Sequence, residues 1–478
     1  MGYFQQIYGV VTTITGPGVT NVATPVASAY SDSIPLLVIS SSLPRSATRH
    51  PKGLLHEIKN QAGVMEALAG WTRVVEHVEE LPYALNDAFR ALRQGRPRGA
   101  YLQVPLDLLQ AEADVEIPEP AEIVLPQPEK ESLDAAARLL REARRPLIIA
   151  GAGVTAAAAN THLARLAELL GAPVILGNKS HDVLPSEHPL VISVNNSAPA
   201  EVYALIEKAD VALIVGSKLG LHRTGEHGYP LPQALIQVDI DPAEIGRHYP
   251  VRIGLAADAR LTLEALLERL HDQPFSRDQA ALLAELERIR KALRERCHKS
   301  YGEMVHLLDG VREGLPNNGI VVADMTMLGY ASAQYLPTYE PRTYIHPNEL
   351  CTIGCGLPLA LGAKVGAPER QVITLCGDGG FLLNTGELAA AVQEKIPVVI
   401  IIFNDSTFTA VKRAQHYDYA KHYIATDLVA PDYVALAHAF HAEGMRAENP
   451  EALRDAIRKA SSLNKPTIIE VPLPAREW

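Results

Sequence analysis

The stretch from Gln371 to Thr407 constrains the fold most. It opens with the apolar run Val372–Cys376, which is typical of a buried parallel strand. Gly377–Gly380 follows with the sequence GDGG, and three glycines around one carboxylate predict a tight turn whose backbone lies close to a ligand. Asn384–Glu394 has helical spacing, and Val398–Phe403 predicts a second buried strand. The pattern predicts a β-turn-α-β unit of a parallel α/β sheet.

An oxygen-bearing side chain follows each of these two strands. Asp378 lies in the glycine-rich turn, and Asp405 comes just after the second strand. Ligands of open α/β sheets bind at the carboxyl ends of the strands, so we expect the two carboxylates to lie close together. Mg²⁺ prefers oxygen ligands and shares them with phosphates. The sequence therefore predicts a magnesium-diphosphate site, and the alternative is a plain strand-turn-helix with Asp378 as a helix cap.

Composition limits the class of protein. The chain has 478 residues, of which 47% are hydrophobic, and this length predicts two or three domains. Its net charge of −11 argues against nucleic acid or a membrane surface as a partner. The four cysteines lack the paired spacing of a zinc site, which favours free thiols in a reducing compartment. Since no run reaches the ~18 apolar residues of a membrane helix and no signal-peptide pattern is present, we predict a cytoplasmic protein.

Alternating strand and helix patterns predict three doubly wound α/β domains. A proline-rich acidic stretch and a long segment without Gly or Pro separate them. The predicted parts are a first domain at 1–110, a linker at 111–130, a central domain at 131–275, a connecting helix at 276–298 and a last domain at 299–478.

The GDG motif stands 24 residues (Gly380–Phe403) before Asn404-Asp405. This spacing resembles the thiamine diphosphate motif of the acetolactate synthase and 2-oxo acid decarboxylase family, in which a second Asn stands where this chain has Asp405. Gly16–Asn21 (GPGVTN) resembles the turn of that family's pyrimidine-binding (PYR) domain. Thr352–Ala363 (TIGCGLPLALGA) resembles a helix start in its diphosphate-binding (PP) domain. The resemblance implies PYR, central and PP domains in that order.

The resemblance also implies the residues of the site. It assigns Mg²⁺ to Asp378, Asp405 and the carbonyl of Thr407. Ile353 matches the residue that wedges between the two cofactor rings. Three residues of the loop HPKGLLHEIKNQ border the substrate pocket as candidate catalytic groups, namely His56, Glu57 and Gln61; a solvated loop is the alternative. The residues expected to bind thiamine diphosphate are Gly377, Asp378, Gly379, Gly380, Thr326, Ile353 and Asp405, with Pro17, Gly18 and Asn21 from the PYR domain.

The activity implied is thiamine diphosphate- and Mg²⁺-dependent decarboxylation of a 2-oxo acid, with release of an aldehyde or with carboligation. Ile353 and the LHE…Q loop favour a decarboxylase, whereas bound FAD would favour a synthase. Gly151-Ala152-Gly153 is half of a dinucleotide fingerprint, so FAD in the central domain stays a less favoured alternative. The family's cofactor lies between two subunits, which implies a homodimer or homotetramer.

In that family a PYR-domain glutamate activates the cofactor. Met1–Tyr8 resembles the end of the helix that follows this glutamate, and no acidic residue precedes Asp32. We therefore expect an N-terminally incomplete PYR domain, and a chain extended upstream to be more soluble because its sheet would lack an exposed edge. The alternative function is a catalytically silent thiamine diphosphate-binding protein or fragment.

Overall fold

The computed structural model describes residues 8–48, 52–194, 198–220, 224–225, 228–271 and 279–474. Their strands form three sheets in which every strand pair is parallel, so the predicted three-sheet α/β class is confirmed. The chain divides into two compact units. The first comprises Met1–Pro126 with Pro347–Thr352, and the second comprises Gln127–His346 with Ile353–Trp478.

The first unit contains a four-stranded sheet of order β1-β2-β4-β3. Its strands are β1 Gly9–Thr13, β2 Leu36–Ser42, β3 Trp71–Val74 and β4 Gly99–Pro105. Its helices are Pro17–Asn21, Ala23–Asp32, Arg45–Thr48, Gln61–Glu66 and Leu81–Arg93, with a 3-10 turn at Val78–Glu80. All seven residues of β4 are buried, because neighbouring strands pair on both of its sides. The GPGVTN segment is a short helix of its own rather than only a turn.

The second sheet has six strands in the order β10-β9-β8-β5-β6-β7. They are β5 Pro146–Ala150, β6 Val174–Leu176, β7 Val191–Ser193, β8 Val211–Val215, β9 Ala234–Asp239 and β10 Ile253–Ala256. The helices that connect them include Lys130–Glu142, Gly153–Ala156, Asn160–Leu170, Ala200–Glu207 and Ala259–Leu270, with 3-10 turns at Asn178–Ser180 and Pro242–Glu244. Residues 111–129 form neither helix nor strand.

The glycines of the half fingerprint have a packing role. A Cβ on Gly151 would lie 2.1 Å from the carbonyl oxygen of Gly216, and one on Gly153 would lie 2.7 Å from the Cα of Gly216. Gly216 itself has φ +60°, a conformation that L-residues rarely adopt. Close approach of two loops at the ends of β5 and β8 therefore accounts for this GxG without a nucleotide.

The third sheet has six strands in the order β12-β11-β13-β14-β16-β15. They are β11 Ile320–Ala323, β12 Tyr344–Ile345, β13 Val372–Gly377, β14 Val399–Asn404, β15 Glu443–Arg446 and β16 Thr467–Pro472. The helices are Gln279–Tyr301, Leu307–Gly314, Met327–Tyr335, Gly356–Gly366, Asp378–Leu383, Glu387–Gln393, Thr409–Asp418, Tyr433–Ala439 and Pro450–Leu463, with a 3-10 turn at Gly302–His306. Central strands β13 and β14 are buried almost throughout, as their β-branched sequences predict.

Some predicted segments lie outside the described residues. These are residues 1–7, where the resemblance places a helix end, His50 of the predicted pocket loop, and residues 276–278 at the start of the predicted connecting helix. Among the helices that the structure describes, none combines the length and apolar character needed to cross a membrane.

Candidate functional site

The two carboxylates predicted to bind a metal lie at adjacent strand ends. Gly377 at the end of β13 pairs with Phe403 of β14, so Asp378 and Asp405 leave the sheet side by side. Their charges interact, because Asp405 contributes to a raised pKa of Asp378. The structure therefore brings together two residues that are 27 positions apart, as the sequence predicts.

Asp378 is buried, with 2% of its surface exposed. Burial is the main cause that raises its pKa to about 6, while the N–H of Gly379 opposes this effect by donating to Oδ1 at 2.7 Å. The amides of Ser406 and Thr407 also lower the pKa of Asp378. The other oxygen, Oδ2, is buried and has no hydrogen-bond partner among the described residues. Since such an oxygen is costly to bury, its chemistry fits a cation as the missing partner.

Asp405 is held by the loop that follows β14. Burial raises its pKa, whereas the hydroxyl of Thr409, which donates to Oδ2, the amide of Thr407 and the nearby Lys412 act to lower it. The carbonyl of Thr407, the third predicted metal ligand, accepts the N–H of Thr409 at 2.9 Å. The hydroxyl of Thr409 also lies 3.4 Å from this carbonyl oxygen, although its closer contact is Oδ2 of Asp405.

The described residues contain no group of three or more His, Cys, Asp and Glu side chains arranged to bind a metal. The predicted site has two carboxylates and one main-chain carbonyl. It therefore falls outside that class of cluster, and its completion requires ligands that the cofactor phosphates would supply.

The predicted tight turn at Gly377–Gly380 is wrong. The helix begins at Asp378 directly after the strand, and none of the three glycines has a positive φ. Packing accounts for two of them instead. A Cβ on Gly379 would lie 2.3 Å from the ring of Phe408, and one on Gly377 would lie 3.0 Å from Oγ1 of Thr326. The latter distance also places Thr326, a predicted diphosphate contact, beside the start of the motif.

Ile353 lies over the helix that carries Asp378. A Cβ on Gly380 would lie 3.4 Å from Cγ1 of Ile353, and 39% of Ile353 is nevertheless exposed. The next residue, Gly354, has φ +83°. Its carbonyl accepts a hydrogen bond from Nδ2 of Asn384 at 2.7 Å. The loop is therefore fixed by Asn384, and the exposed side chain of Ile353 can contact a ligand beside Asp378.

Sequence reasoning missed the residue that fixes Asn404. Nδ2 of Asn404 donates to Oε1 of Glu470 at 2.8 Å, and Arg446 donates to the other oxygen of this carboxylate at 2.8 Å. Oδ1 of Asn404 in turn accepts the N–H of Ser406 at 3.2 Å. Glu470 therefore positions the loop that bears Asp405. The available signal was a buried acid within the apolar strand TIIEVP.

In the first unit, the residues predicted to face the aminopyrimidine ring form the helix Pro17–Asn21. Pro17 and Asn21 are exposed and Gly18 is half-buried. The residue before them, Gly16, has φ +66°, and a Cβ there would lie 2.4 Å from the carbonyl oxygen of His56. His56 thus lies against this turn through its main chain, and its predicted catalytic role stays a prediction.

Gln61 is buried inside the first unit rather than offered to a substrate. Its Oε1 accepts Oγ1 of Thr15 at 2.7 Å and the N–H of Gly16 at 2.9 Å. Its Nε2 donates to the carbonyl of Ser41 at 2.9 Å and to Oη of Tyr101 at 3.0 Å. Both ends of the amide are therefore engaged, which does not support the predicted contact of Gln61 with substrate and makes it a support of the Gly16 turn.

Glu57 closes its own loop. Its carboxylate accepts the N–H groups of Lys52 at 3.0 Å and Leu54 at 3.2 Å, and these amides lower its pKa. The carboxylate is ionised and half-exposed. A catalytic role for Glu57 stays a prediction.

Comparison with known proteins identifies the family. Three family models match in order: the thiamine pyrophosphate enzyme N-terminal TPP binding domain at residues 2–64, the central domain at 133–266 and the C-terminal TPP binding domain at 324–471. A probable 2-ketoarginine decarboxylase of Pseudomonas aeruginosa is 36% identical over 410 residues, which cover 84% of this chain and 72% of the relative. The chain belongs to the thiamine diphosphate-dependent family of acetolactate synthases and 2-oxo acid decarboxylases.

Other members of this family match nearly the full length of the chain. A probable acetolactate synthase large subunit of Methanocaldococcus jannaschii is 30% identical over 488 residues, covering 98% of this chain and 82% of the relative. A sulfoacetaldehyde acetyltransferase of Rhodobacter capsulatus is 30% identical over 489 residues, covering 95% of this chain and 82% of the relative. The predicted family and enzyme class are confirmed: the chain is a thiamine diphosphate-dependent enzyme of the 2-oxo acid decarboxylase or acetolactate synthase type.

Proposed function

We propose that this enzyme decarboxylates a 2-oxo acid with thiamine diphosphate and Mg²⁺ and releases the aldehyde. The observation that carries the proposal is the pair Asp378 and Asp405 at adjacent strand ends, with Oδ2 of Asp378 buried and unpartnered among the described residues. Such an oxygen set suits Mg²⁺, which prefers carboxylate and carbonyl oxygens and shares them with phosphates.

The residues of the third sheet fit this cofactor. Asp378, Asp405 and the carbonyl of Thr407 would hold Mg²⁺, and Ile353 would support the rings. When bound, thiamine diphosphate supplies a carbon nucleophile and an electron sink for the departing CO₂.

The two carboxylates bind and orient the phosphate end through the cation. Each has its pKa raised by burial when no metal is present. A divalent cation between them would keep both ionised and remove their repulsion, and burial would strengthen the attraction because the local dielectric is low. Metal binding and deprotonation of Asp378 are therefore coupled.

Ile353 acts by shape. It presents apolar surface at the mouth of the site while Gly354, behind it, is held by Asn384. Apolar contact favours a ring over water at this position, so Ile353 would orient the ring system and exclude solvent from its face.

Two features favour a decarboxylase over a carboligase. The relative described as a probable 2-ketoarginine decarboxylase is 36% identical, whereas the acetolactate synthase of M. jannaschii is 30% identical. The wedge position is Ile353, which the resemblance associates with decarboxylases. We include a 2-oxo acid with a guanidinium side chain among the proposed substrates. We also propose a cytoplasmic location, since all four cysteines are free thiols. FAD is not part of the proposal.

The test is product analysis with the purified chain, thiamine diphosphate and Mg²⁺. Substrates are pyruvate, a branched-chain 2-oxo acid and 5-guanidino-2-oxopentanoate, and the readouts are CO₂, aldehyde and acetolactate. The proposal expects CO₂ and aldehyde in equal amounts, lost when EDTA replaces Mg²⁺. Acetolactate as the main product would support a carboligase instead. Bound cofactor with no CO₂ from any substrate would support the silent alternative.

A further inference from the structure

Asp324 is a buried carboxylate at the end of β11, and only 1% of it is exposed. Its Oδ1 accepts the N–H groups of Met325 at 2.7 Å and Gly354 at 3.0 Å. Its Oδ2 accepts the N–H of Gly356 at 3.0 Å. The thiol of Cys355 also points to Oδ1, at 3.5 Å. The carboxylate of Asp324 thus contacts three consecutive residues, Gly354 to Gly356, of a loop that begins 30 positions further along the chain.

This loop is the one that carries Ile353. The residues before the helix Gly356–Gly366 belong to no helix or strand, so their N–H groups need partners from elsewhere. Asp324 provides these partners on one side. On the other side, Asn384 donates to the carbonyl of Gly354. Gly354 has φ +83°, which glycine adopts readily and other residues rarely adopt.

We propose that Asp324 is a positioning residue, which fixes Ile353 against the helix Asp378–Leu383 for contact with the cofactor rings without touching the cofactor itself. The inference rests on the proposed function, because the role of Ile353 is part of that proposal. A carboxyl side chain suits the task, since its two oxygens can accept several N–H groups at once. Both oxygens accept main-chain N–H groups, and the side chain is buried, so its observed bonds are made within the protein.

The central variant is Asp324→Asn, which keeps the size of the side chain. Because both oxygens of Asp324 accept an N–H, the amide must turn its own NH₂ group towards one of these donors. Asp182 offers a matched control in the same unit: it is also 1% exposed and accepts the N–H groups of Thr343 at 2.9 Å and Tyr344 at 3.1 Å. Both of those bonds end on Oδ2, so Asp182→Asn can keep them with its carbonyl oxygen.

The first readout needs no cofactor. Hydrogen-deuterium exchange followed by mass spectrometry reports the amides of Gly354 and Gly356 directly. For Asp324→Asn we expect faster exchange in peptides that cover residues 353–356 and at Met325, whose N–H also donates to Asp324, with the rest of the unit unchanged. Asp182→Asn should leave exchange of this loop at the wild-type rate. A general loss of protection across the unit would instead mark Asp324 as an ordinary structural residue and overturn the proposal.

The second readout is the dissociation constant for thiamine diphosphate with saturating Mg²⁺. Mutation of a residue that orients a ligand-binding residue typically lowers affinity by about 10- to 100-fold. We therefore expect a loss of that order in Asp324→Asn and none in Asp182→Asn. If Asp324→Asn does not fold, Asn384→Ala, which releases the same loop from its other side, provides the measurement. Failure of the wild-type chain to bind the cofactor would overturn the proposed function. Normal wild-type binding with unchanged binding in Asp324→Asn would overturn this inference alone.

Discussion

At the residue scale, the feature that defines the site is a pair of carboxylates where the family motif has an acid followed by an amide. Asp405 helps to raise the pKa of Asp378, although burial is the larger cause. Two adjacent buried acids are unfavourable until a cation lies between them. Binding of Mg²⁺, as proposed, would relieve this repulsion.

Substitution of Asp405 tests whether it is a ligand. Asp405→Asn retains an oxygen that Mg²⁺ can bind and removes the repulsion with Asp378, so we expect a loss of Mg²⁺ affinity of about 10-fold or less. Asp405→Ala removes the oxygen, and we expect a loss of at least about 100-fold. Titration of Mg²⁺ by isothermal calorimetry measures both. Equal effects of the two variants would show that the oxygen at position 405 is not a ligand.

Gly16 tests the turn in the first unit. Gly16→Ala places a Cβ 2.4 Å from a main-chain oxygen of His56 at φ +66°, whereas Gly53→Ala at φ +70° has no atom within 4 Å. Both variants place an L-residue at a positive φ, which costs at least about 1–2 kcal/mol. Only Gly16→Ala adds a clash, of roughly 1–3 kcal/mol. We expect calorimetry to show a lower melting temperature for Gly16→Ala than for Gly53→Ala, and equal temperatures would contradict the described turn.

At the element scale, the sequence predicts strands well and loops poorly. The runs Val372–Cys376 and Val398–Phe403 correspond to β13 and β14 within one residue at each end, because buried parallel strands have a distinctive composition. The predicted helix Asn384–Glu394 is shorter, at Glu387–Gln393. The sequence predicts a turn at the GDGG motif because glycine signals both positive φ and close packing, and only the second applies here.

Buried polar contacts were the least predictable part of the site. Gln61 reaches Thr15 and Gly16, which are 46 and 45 positions away, and Asp324 reaches Gly354 over 30 positions. No local pattern reports such partners. The sequence could therefore place Asp378 and Asp405 at one sheet edge, since parallel strands end together, but could not assign Gln61 and Asp324 their supporting roles.

Two buried titratable residues, His181 and Asp182, lie between the second and third sheets, and they predict that the free energy of unfolding depends on pH. Nε2 of His181 donates to the carbonyl of Leu336 at 2.7 Å, and burial lowers the pKa of His181 to about 4 from 6.5. Its Nδ1 is buried with no hydrogen-bond partner among the described residues, so protonation there is unfavourable. The stability contributed by this group is complete above about pH 6.5 and is lost as the pH falls towards 4.

Asp182 acts in the opposite direction. Burial raises its pKa to about 6, so the stability linked to this group increases as the pH falls through 6. Only a difference between variants therefore isolates His181. Relative to the wild type, we expect His181→Gln to gain roughly 2–3 kcal/mol in unfolding free energy between about pH 7 and about pH 4.5, at about 1.4 kcal/mol per pKa unit. Denaturant titration measures it, with the exposed His271→Gln as control. A pH-independent difference would contradict the buried neutral histidine.

At the scale of the whole molecule, we predict at least a dimer. Beyond the carboxylates, the third-sheet region exposes large apolar side chains, including Leu383 at 57%, Ile424 at 76% and Val429 at 100%. Large exposed apolar side chains such as these are groups that a subunit interface would bury. We expect light scattering to give at least twice the monomer mass, and Ile424→Glu to lower it. A monomer with full cofactor-dependent activity would contradict this prediction.

The account as a whole rests on Asp378 and Asp405 as the magnesium-diphosphate anchor. The measurement that tests it most directly is calorimetric titration of thiamine diphosphate into the wild-type chain and Asp378→Asn, each with Mg²⁺ and with EDTA. As control, Asp455→Asn alters an exposed carboxylate that pairs with Arg454. We predict Mg²⁺-dependent binding in the wild type and the control. Asp378→Asn should lose at least about 100-fold, because its amide oxygen must keep the N–H of Gly379 and its NH₂ group would then stand at the Oδ2 position that faces the cation. Binding that persists in EDTA, or that Asp378→Asn leaves unchanged, would contradict the account.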